Sequence, residues 1–339
     1  MKRFALALAL LMLAGPALGQ SVEQFYRGKT MTILIAGTPG GGFDSYSRLL
    51  AQHLPRFLPG NPTMVARNMA GAGGLTLANH LFANEVRDGT VIAYVGPIAM
   101  QPLLDPDSAQ NKFDPTKFTW IGSMAASQNL LIAWHTAPVQ KADDLFTTQM
   151  IVAGTGAASN TDFYPKVIND VLGTKFKLLT GFPGTRETLK AIEQGEAHGR
   201  FTSWDSLKST SRQWIDTKQI NIIMQNATVR HPELPDIPTV LELAEAHGKK
   251  DAIPTLKFLL ASDKMGRPIA APPGIPADRA KALRDAFAKM VVDKDYLADA
   301  RKERLEPDLP LNGEQVEETI REIYKTPKDI VAKVAAAMK

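Results

Sequence analysis

Met31-Thr32-Ile33-Leu34-Ile35-Ala36, then Thr38-Pro39-Gly40-Gly41-Gly42-Phe43-Asp44, decides how this chain folds. The first six residues are a short apolar run that reads as a buried strand. In the stretch that follows, from Ser45 to Leu54, the residues Tyr46, Leu49, Leu50 and Leu54 share one helical face. Three glycines therefore occupy a strand-to-helix turn. Such a turn bares backbone N–H groups beside the partial positive charge of a helix N-terminus, which suits an anion. A tight turn with no ligand is the plainer alternative.

The same plan recurs downstream. Thr63–Asn68 reads as a strand, Met69–Gly74 as a second glycine-rich turn, Leu75–Phe82 as a helix, and Val91–Val95 as a buried strand ending at Gly96. Alternating strand, turn and helix predicts an α/β fold whose sheet is flanked by helices, with ligands at the carboxyl ends of the strands. Phe118–Gly122 and Asn129–Trp134 read as further strands, with a crossover between them. A second α/β unit opens at Met150–Ala153 and runs into Gly154-Thr155-Gly156-Ala157-Ala158-Ser159. Ser159 with Asp162 fits a capping box, although Pro165 conflicts with a helix already running from Ser159. Lys175–Leu179 is a strand, Gly181-Phe182-Pro183-Gly184 a turn, Leu207–Asp216 a helix and Asn221–Met224 a strand. The proline-bearing stretch 226–238 reads as the return crossover. The expected organisation is two domains: residues 20–125 plus 229–339, and an inserted domain of residues 126–228.

Residues 1–19 read as a secretory signal. Lys2-Arg3 precedes the apolar run Phe4–Ala14, and small residues lead to a cleavage site after Gly19. The run is too short to span a bilayer. The chain has no cysteine, so neither a lipid anchor nor a disulfide is expected, and a soluble periplasmic product follows. Its 339 residues, 44% of them hydrophobic, allow a core that needs no staple. Net charge is +4, of which Lys2 and Arg3 supply two. That is too weak and dispersed for nucleic acid.

These motifs, in this order, resemble a known family. Pro39-Gly40-Gly41-Gly42-Phe43-Asp44, Arg67-Asn68 with Gly71-Ala72-Gly73-Gly74, Asp88-Gly89-Thr90, Gly181-Phe182-Pro183-Gly184, Asp236-Ile237-Pro238-Thr239 and Ala271-Pro272-Pro273-Gly274-Ile275-Pro276 closely resemble the receptors of tripartite tricarboxylate transporters, the Bug family. The resemblance implies a two-domain periplasmic-binding-protein (flytrap) fold, each domain a mixed sheet flanked by helices, with the ligand cleft between them. It also implies a monomeric extracytoplasmic receptor that delivers a small organic acid to integral membrane subunits of a transporter, with no catalysis and no cofactor. In the family the ligand carboxylate is held by backbone and water at the turn after the first strand, and the corresponding turn of the second domain completes the grip. Carried over, these are Thr38, Pro39, Gly40, Gly41, Gly42, Phe43 and Asp44, and Gly154, Thr155, Gly156, Ala157 and Ser159. Gly96, Phe182 and Pro183 lie in neighbouring turns at the same edge. Phe43 and Ala157 depart from the family's usual small hydroxyl residues. If Phe43 faces the cleft it suits a ligand with an apolar body; otherwise it packs in the core.

Trp204 and Asp205 follow the strand that should reach the cleft. Trp204 either lines it or packs in the core, and Asp205, which repels a carboxylate, orients water or fixes a donor. Arg200 is a cation near that edge, or else a solvated surface charge. The six scattered histidines make no metal-helix spacing. The chief rival is an exported nucleotide-cofactor-dependent enzyme, since Gly154–Ser159 approaches the dinucleotide fingerprint, with Asp170 too early for the ribose partner. A ligand-binding sensor component is a third reading.

Overall fold

The computed structural model describes residues 20–96 and 98–338; the expected signal segment, residues 1–19, lies outside them. The strands are β1 (Thr30–Ile35), β2 (Thr63–Asn68), β3 (Val91–Tyr94), β4 (Thr119–Ser123), β5 (Asn129–Trp134), β6 (Met150–Ala153), β7 (Phe176–Leu179), β8 (Gly199–Ser203), β9 (Ile220–Asn226), β10 (Pro268–Ala271) and β11 (Leu311–Asn312). They form two sheets, ordered β11-β4-β10-β3-β1-β2 and β7-β6-β8-β5-β9. Both are mixed. In the first, β1 runs parallel to β2 and β3, while β10 is antiparallel to β3 and β4. In the second, β6 runs parallel to β7 and β8, while β5 is antiparallel to β8 and β9.

This topology places the cleft. The chain leaves β1 through a helix to β2 on one side, then returns to β3 on the other side of β1. It leaves β6 for β7 and returns to β8 in the same way. Each sheet thus has a switch point where successive connections part, and the crevice outside the strand ends there is a place for a ligand. The turn after β1 and the turn after β6 are the two glycine-bearing stretches singled out from the sequence.

Packing follows the sequence pattern at β1, where Met31, Ile33, Leu34 and Ile35 are buried, and in the helix Gly42–His53, whose Tyr46, Leu49 and Leu50 are buried with them. Two expectations for the second lobe are corrected. The capping box at Ser159 does not form: the helix starts at Asn160 with Ser159 as a cap lacking a side-chain bond to the helix backbone, and Pro165 lies inside it. The Ser159 hydroxyl instead donates to the Gly156 carbonyl at 2.9 Å. The helix expected over Leu207–Asp216 is two, Trp204–Thr210 and Arg212–Asp216, parted at Ser211. Thr210 Oγ1 donates back to the Ser206 carbonyl at 2.7 Å, the kind of side-chain bond that competes with the helix ladder.

The return crossover also lies later than residue 229. The helices Val240–Ala246 and Ile253–Leu259 pack against β9 and the helix Asn160–Leu172, both of the second lobe. Gln225 forms a bridge with Thr239 on the way. The chain re-enters the first sheet only at β10. The last helix, Lys328–Met338, packs on Asn160–Leu172 and on Gln101–Leu104, and so straddles the lobes.

Candidate functional site

The helix Gly42–His53 begins with Gly41 as its cap, in extended conformation and without a side-chain bond. The amides of its first turn have no partner within the helix. The turn before it is held by Asp44, whose carboxylate accepts the Gly40 amide at 2.9 Å, Arg48 Nε at 2.9 Å and Asn68 Nδ2 at 2.9 Å. Burial raises the Asp44 pKa, but these bonds outweigh it and hold the carboxyl below the usual range. Asp44 is thus a brace for the turn.

The turn of the second lobe is braced likewise. The Thr155 amide donates to Thr161 Oγ1 at 2.9 Å and the Gly156 amide to Asp162 Oδ1 at 2.9 Å. Those two amides are consumed inside the loop, so this lobe offers hydroxyls where backbone amides were expected. Thr155, Ser159 and Thr161 line a shared cavity, with their hydroxyls bonded to one another.

That cavity, of about 120 Å³, lies between the lobes. Its walls include Thr38, Gly41, Gly42 and Phe43 from the first turn, Gly71, Gly73 and Gly74 from the second glycine turn, and Thr155, Ser159, Pro183 and Thr185 from the opposite lobe. Of the other residues picked out from the sequence, Pro39, Gly40 and Ala157 are exposed and do not line it. Gly154 and Gly156 serve the loop: a side chain at Gly154 would strike Asp162, and one at Gly156 would strike the Ala72–Gly73 backbone. Gly96 lies behind the Phe43 ring, and Phe182 packs against the apolar cluster that contains Trp204 and Leu207. Phe43 takes both of its expected roles, half-buried against Tyr94 with ring centroids 4.4 Å apart and also lining the cavity. Trp204 and Asp205 line a separate hollow of about 520 Å³ with Asn226, Val229 and Leu309. The Trp204 indole donates to Glu233 at 2.6 Å.

The lobes meet around the cavity. An added Cβ at Gly73 would lie 2.4 Å from the Ser159 amide nitrogen, and one at Gly184 would lie 2.1 Å from Thr38 Oγ1. Gly184 has φ −174°, extended backbone open to any residue, so what opposes a larger side chain there is Thr38 of the other lobe. Gly184→Val is expected to hold the lobes apart and weaken ligand binding about tenfold or more, the scale of overpacking. Calorimetric titration checks it; unchanged affinity would mean the lobes need not meet here.

Arg200 is the chief residue that the sequence did not single out as a ligand contact. It lies on β8, the central strand of the second sheet, and is only 5% exposed. Nε donates to the Phe201 carbonyl at 3.0 Å, and Nη1 donates to the Thr185 carbonyl at 3.3 Å and to Thr188 Oγ1. Among the described residues no carboxylate pairs with it. Burial pulls its pKa down to about 10, so it stays charged at neutral pH. The expectation of a solvated surface charge is therefore corrected: Arg200 lines the cavity as a buried cation.

Arg267 is a second buried cation in this wall, and it is fully engaged at its tip. Its Nη2 bonds Asp205 Oδ2 at 2.5 Å and Ser203 Oγ at 2.8 Å, and Nη1 bonds Tyr94 Oη at 3.0 Å. Asp205, expected to orient water or fix a donor, does the latter across the lobes. Asp263 completes the wall. Its two oxygens lie 2.7 and 2.6 Å from the Tyr164 hydroxyl, and Asn160 Nδ2 lies 3.2 Å away. Burial pushes this carboxyl up to about 7, against the pull of Tyr164 and its neighbours.

A folded-state pKa above the unfolded one means that the native protein binds the extra proton between those two values. Wild type should therefore lose stability relative to Asp263→Asn as pH rises from about 4 to about 7, by up to about 4 kcal/mol from the 3.8-to-7 shift. Denaturant melts across that range check it, and parallel profiles would contradict the burial.

No family model matches the chain. A curated relative from Agrobacterium vitis, the UPF0065 protein in the TAR-I ttuE-ttuC' intergenic region, is 26% identical over 229 residues, which are 65% of this chain and 63% of that protein. The chain thus matches less than two thirds of the relative's length. The solved structure of R. palustris Rpa4515 with adipate superposes with a TM-score of 0.69 at 18% identity, covering 91% of this chain and 97% of that one. The periplasmic binding protein BugD superposes with a TM-score of 0.67 at 18% identity, covering 92% and 97%. These similarities agree with the resemblance read from the motifs. The chain has the two-lobed α/β fold of the periplasmic transporter binding proteins typified by BugD.

Proposed function

We propose that the chain is an extracytoplasmic receptor of the tripartite tricarboxylate type, which closes its lobes on a small organic acid and hands it to integral membrane subunits of a transporter. The observation that carries this reading is Arg200: a buried guanidinium with no carboxylate partner among the described residues, in the wall of an interlobe cavity. A buried charge is costly until it is paired, and a ligand carboxylate supplies the missing partner. The first-turn amides of the helix Gly42–His53, which have no partner within the helix, provide further donors. The structural relative solved with adipate, and the periplasmic binding proteins among the others, favour the same reading.

The cavity sets the scale. A void of about 150 Å³ holds benzene, so about 120 Å³ suits a ligand of about five or six non-hydrogen atoms, or somewhat more where the cavity opens to solvent. A dinucleotide is several times larger, which weighs against the cofactor-dependent alternative. Binding without bond-making explains why the site holds donors facing a closed space, with closure supplying the selectivity. A thermal-shift panel tests the proposal. A short carboxylic acid at a hundredfold excess over its Kd should stabilise the protein by about 2.7 kcal/mol, whereas NAD and ATP should leave it unmoved. Stabilisation by the nucleotides alone would sink the receptor reading.

A further inference from the structure

The cavity has two ends of opposite character. Residues 200 and 201 are neighbours on β8, so their side chains leave opposite faces of the sheet. Arg200 turns to the helix Thr185–Glu193, where it meets Thr185 and Thr188. Phe201 turns to the helix Asn160–Leu172, where its ring lies 5.5 Å from that of Tyr164. Tyr164 in turn holds Asp263. The cation and the acid therefore flank the cavity from opposite sides, and both line it. Arg267, whose charge reaches the acid, is already committed to Asp205.

We propose that the ligand is a short carboxylic acid whose far end carries a hydrogen-bond donor, an amino or hydroxyl group, with its carboxylate on Arg200 and its donor on Asp263. This rests on the reading of the cleft as an acid-binding site and specifies which acids it takes. Among the described residues, Asp263 receives hydrogen bonds from Tyr164 and Asn160 but has no cationic partner at bonding distance. An ionised Asp263 repels a second carboxylate on the ligand, and an alkyl end leaves it buried without a new partner. A site built around a polar group discriminates strongly against analogues that lack the matching one.

The test is calorimetric titration with four acids of equal carbon count: butyrate, succinate, 4-hydroxybutyrate and 4-aminobutyrate. The hydroxy or the amino acid should bind at least about tenfold tighter than butyrate and succinate, and whichever of the two leads tells hydroxyl from ammonium. Asp263→Asn should bring that advantage down to within about twofold, with circular dichroism and melting temperature confirming that the variant is folded. Succinate or butyrate binding as tightly as the donor-bearing acids in wild type overturns the proposal and leaves the receptor reading standing. So does an advantage that survives in a folded Asp263→Asn. Succinate leading would mean instead that a protonated Asp263 donates to a second carboxylate. Binding by none of the four, with none raising the melting temperature, counts against both this proposal and the acid-binding reading. Arg200→Gln should weaken all four acids together, which separates the charge requirement from the donor preference.

Discussion

Arg200→Met should reduce affinity for the acid ligand by roughly 12- to 150-fold while leaving the ligand-free protein as stable as wild type, or more so. A hydrogen bond to a charged group contributes about 1.5–3 kcal/mol, and Arg200 is placed to make one or more to a carboxylate. In the ligand-free protein the same guanidinium is 5% exposed and meets only the Phe201 and Thr185 carbonyls and the Thr188 hydroxyl. Methionine keeps much of the apolar stem and removes the buried charge, a replacement that is often neutral or stabilising. The pairing of weakened binding with intact stability is what distinguishes a ligand contact from a structural arginine. Titration and denaturant melts on the same variant check it. Lost stability with retained affinity would assign Arg200 to the scaffold.

Asp205→Ala should do the reverse, lowering the unfolding free energy by about 3–5 kcal/mol, the usual cost of stripping one partner from a buried ion pair. Asp205 and Arg267 have side chains 7% and 3% exposed and lie 2.5 Å apart. Burial works against the Asp205 charge, yet Arg267 and Ser203 hold its pKa below the usual carboxylate range. Burial likewise opposes the Arg267 charge, and Asp205 together with Tyr94 and Tyr46 more than offsets it. Without Asp205 the guanidinium keeps Tyr94, Ser203 and Ser206, and the Tyr46 ring 4.7 Å away, but no counter-charge. The pair joins the start of β10 in one lobe to the end of β8 in the other, so its loss loosens the junction as well as the fold. Asp205→Ala combined with Arg267→Met should recover part of the loss, because the orphaned charge leaves with its partner. A single-variant loss below about 1 kcal/mol would mean that the pair is solvated.

The two turns that frame the cleft were legible because glycine carries its message locally. Strand, glycine turn and apolar-faced helix are written within about twenty residues at Met31–Leu50, and again from Met150. Ordered motifs along the chain supplied the two-lobed architecture. Asp263 was not legible as a site residue, and Arg200 was legible only as a cation near the edge, with a solvated surface charge as the alternative. Gly199-Arg200-Phe201 reads as a strand with a solvent-facing arginine, and it becomes a cavity wall only because the helix Thr185–Glu193 packs over that face. Asp263 lies in a short 3₁₀ turn, Ala261–Met265, with no motif around it, and becomes significant when Tyr164, about a hundred residues earlier, is folded against it. The amides of Thr155 and Gly156 were misjudged for the opposite reason. Their turn was recognised, but the side chains of Thr161 and Asp162 that occupy them are fixed by three-dimensional geometry. The late return to the first lobe was hidden because the helices Val240–Ala246 and Ile253–Leu259 show an apolar face without showing which sheet it covers.

The account stands or falls on where the acid sits. A crystal structure of the protein with an acid that raises its melting temperature should show the lobes shut, with Gly73 against Ser159 and Gly184 against Thr38. A ligand carboxylate should then lie about 2.7–2.9 Å from a terminal nitrogen of Arg200. An acid bound outside the interlobe cavity, or one held inside it with Arg200 still making only its protein contacts, would contradict the account.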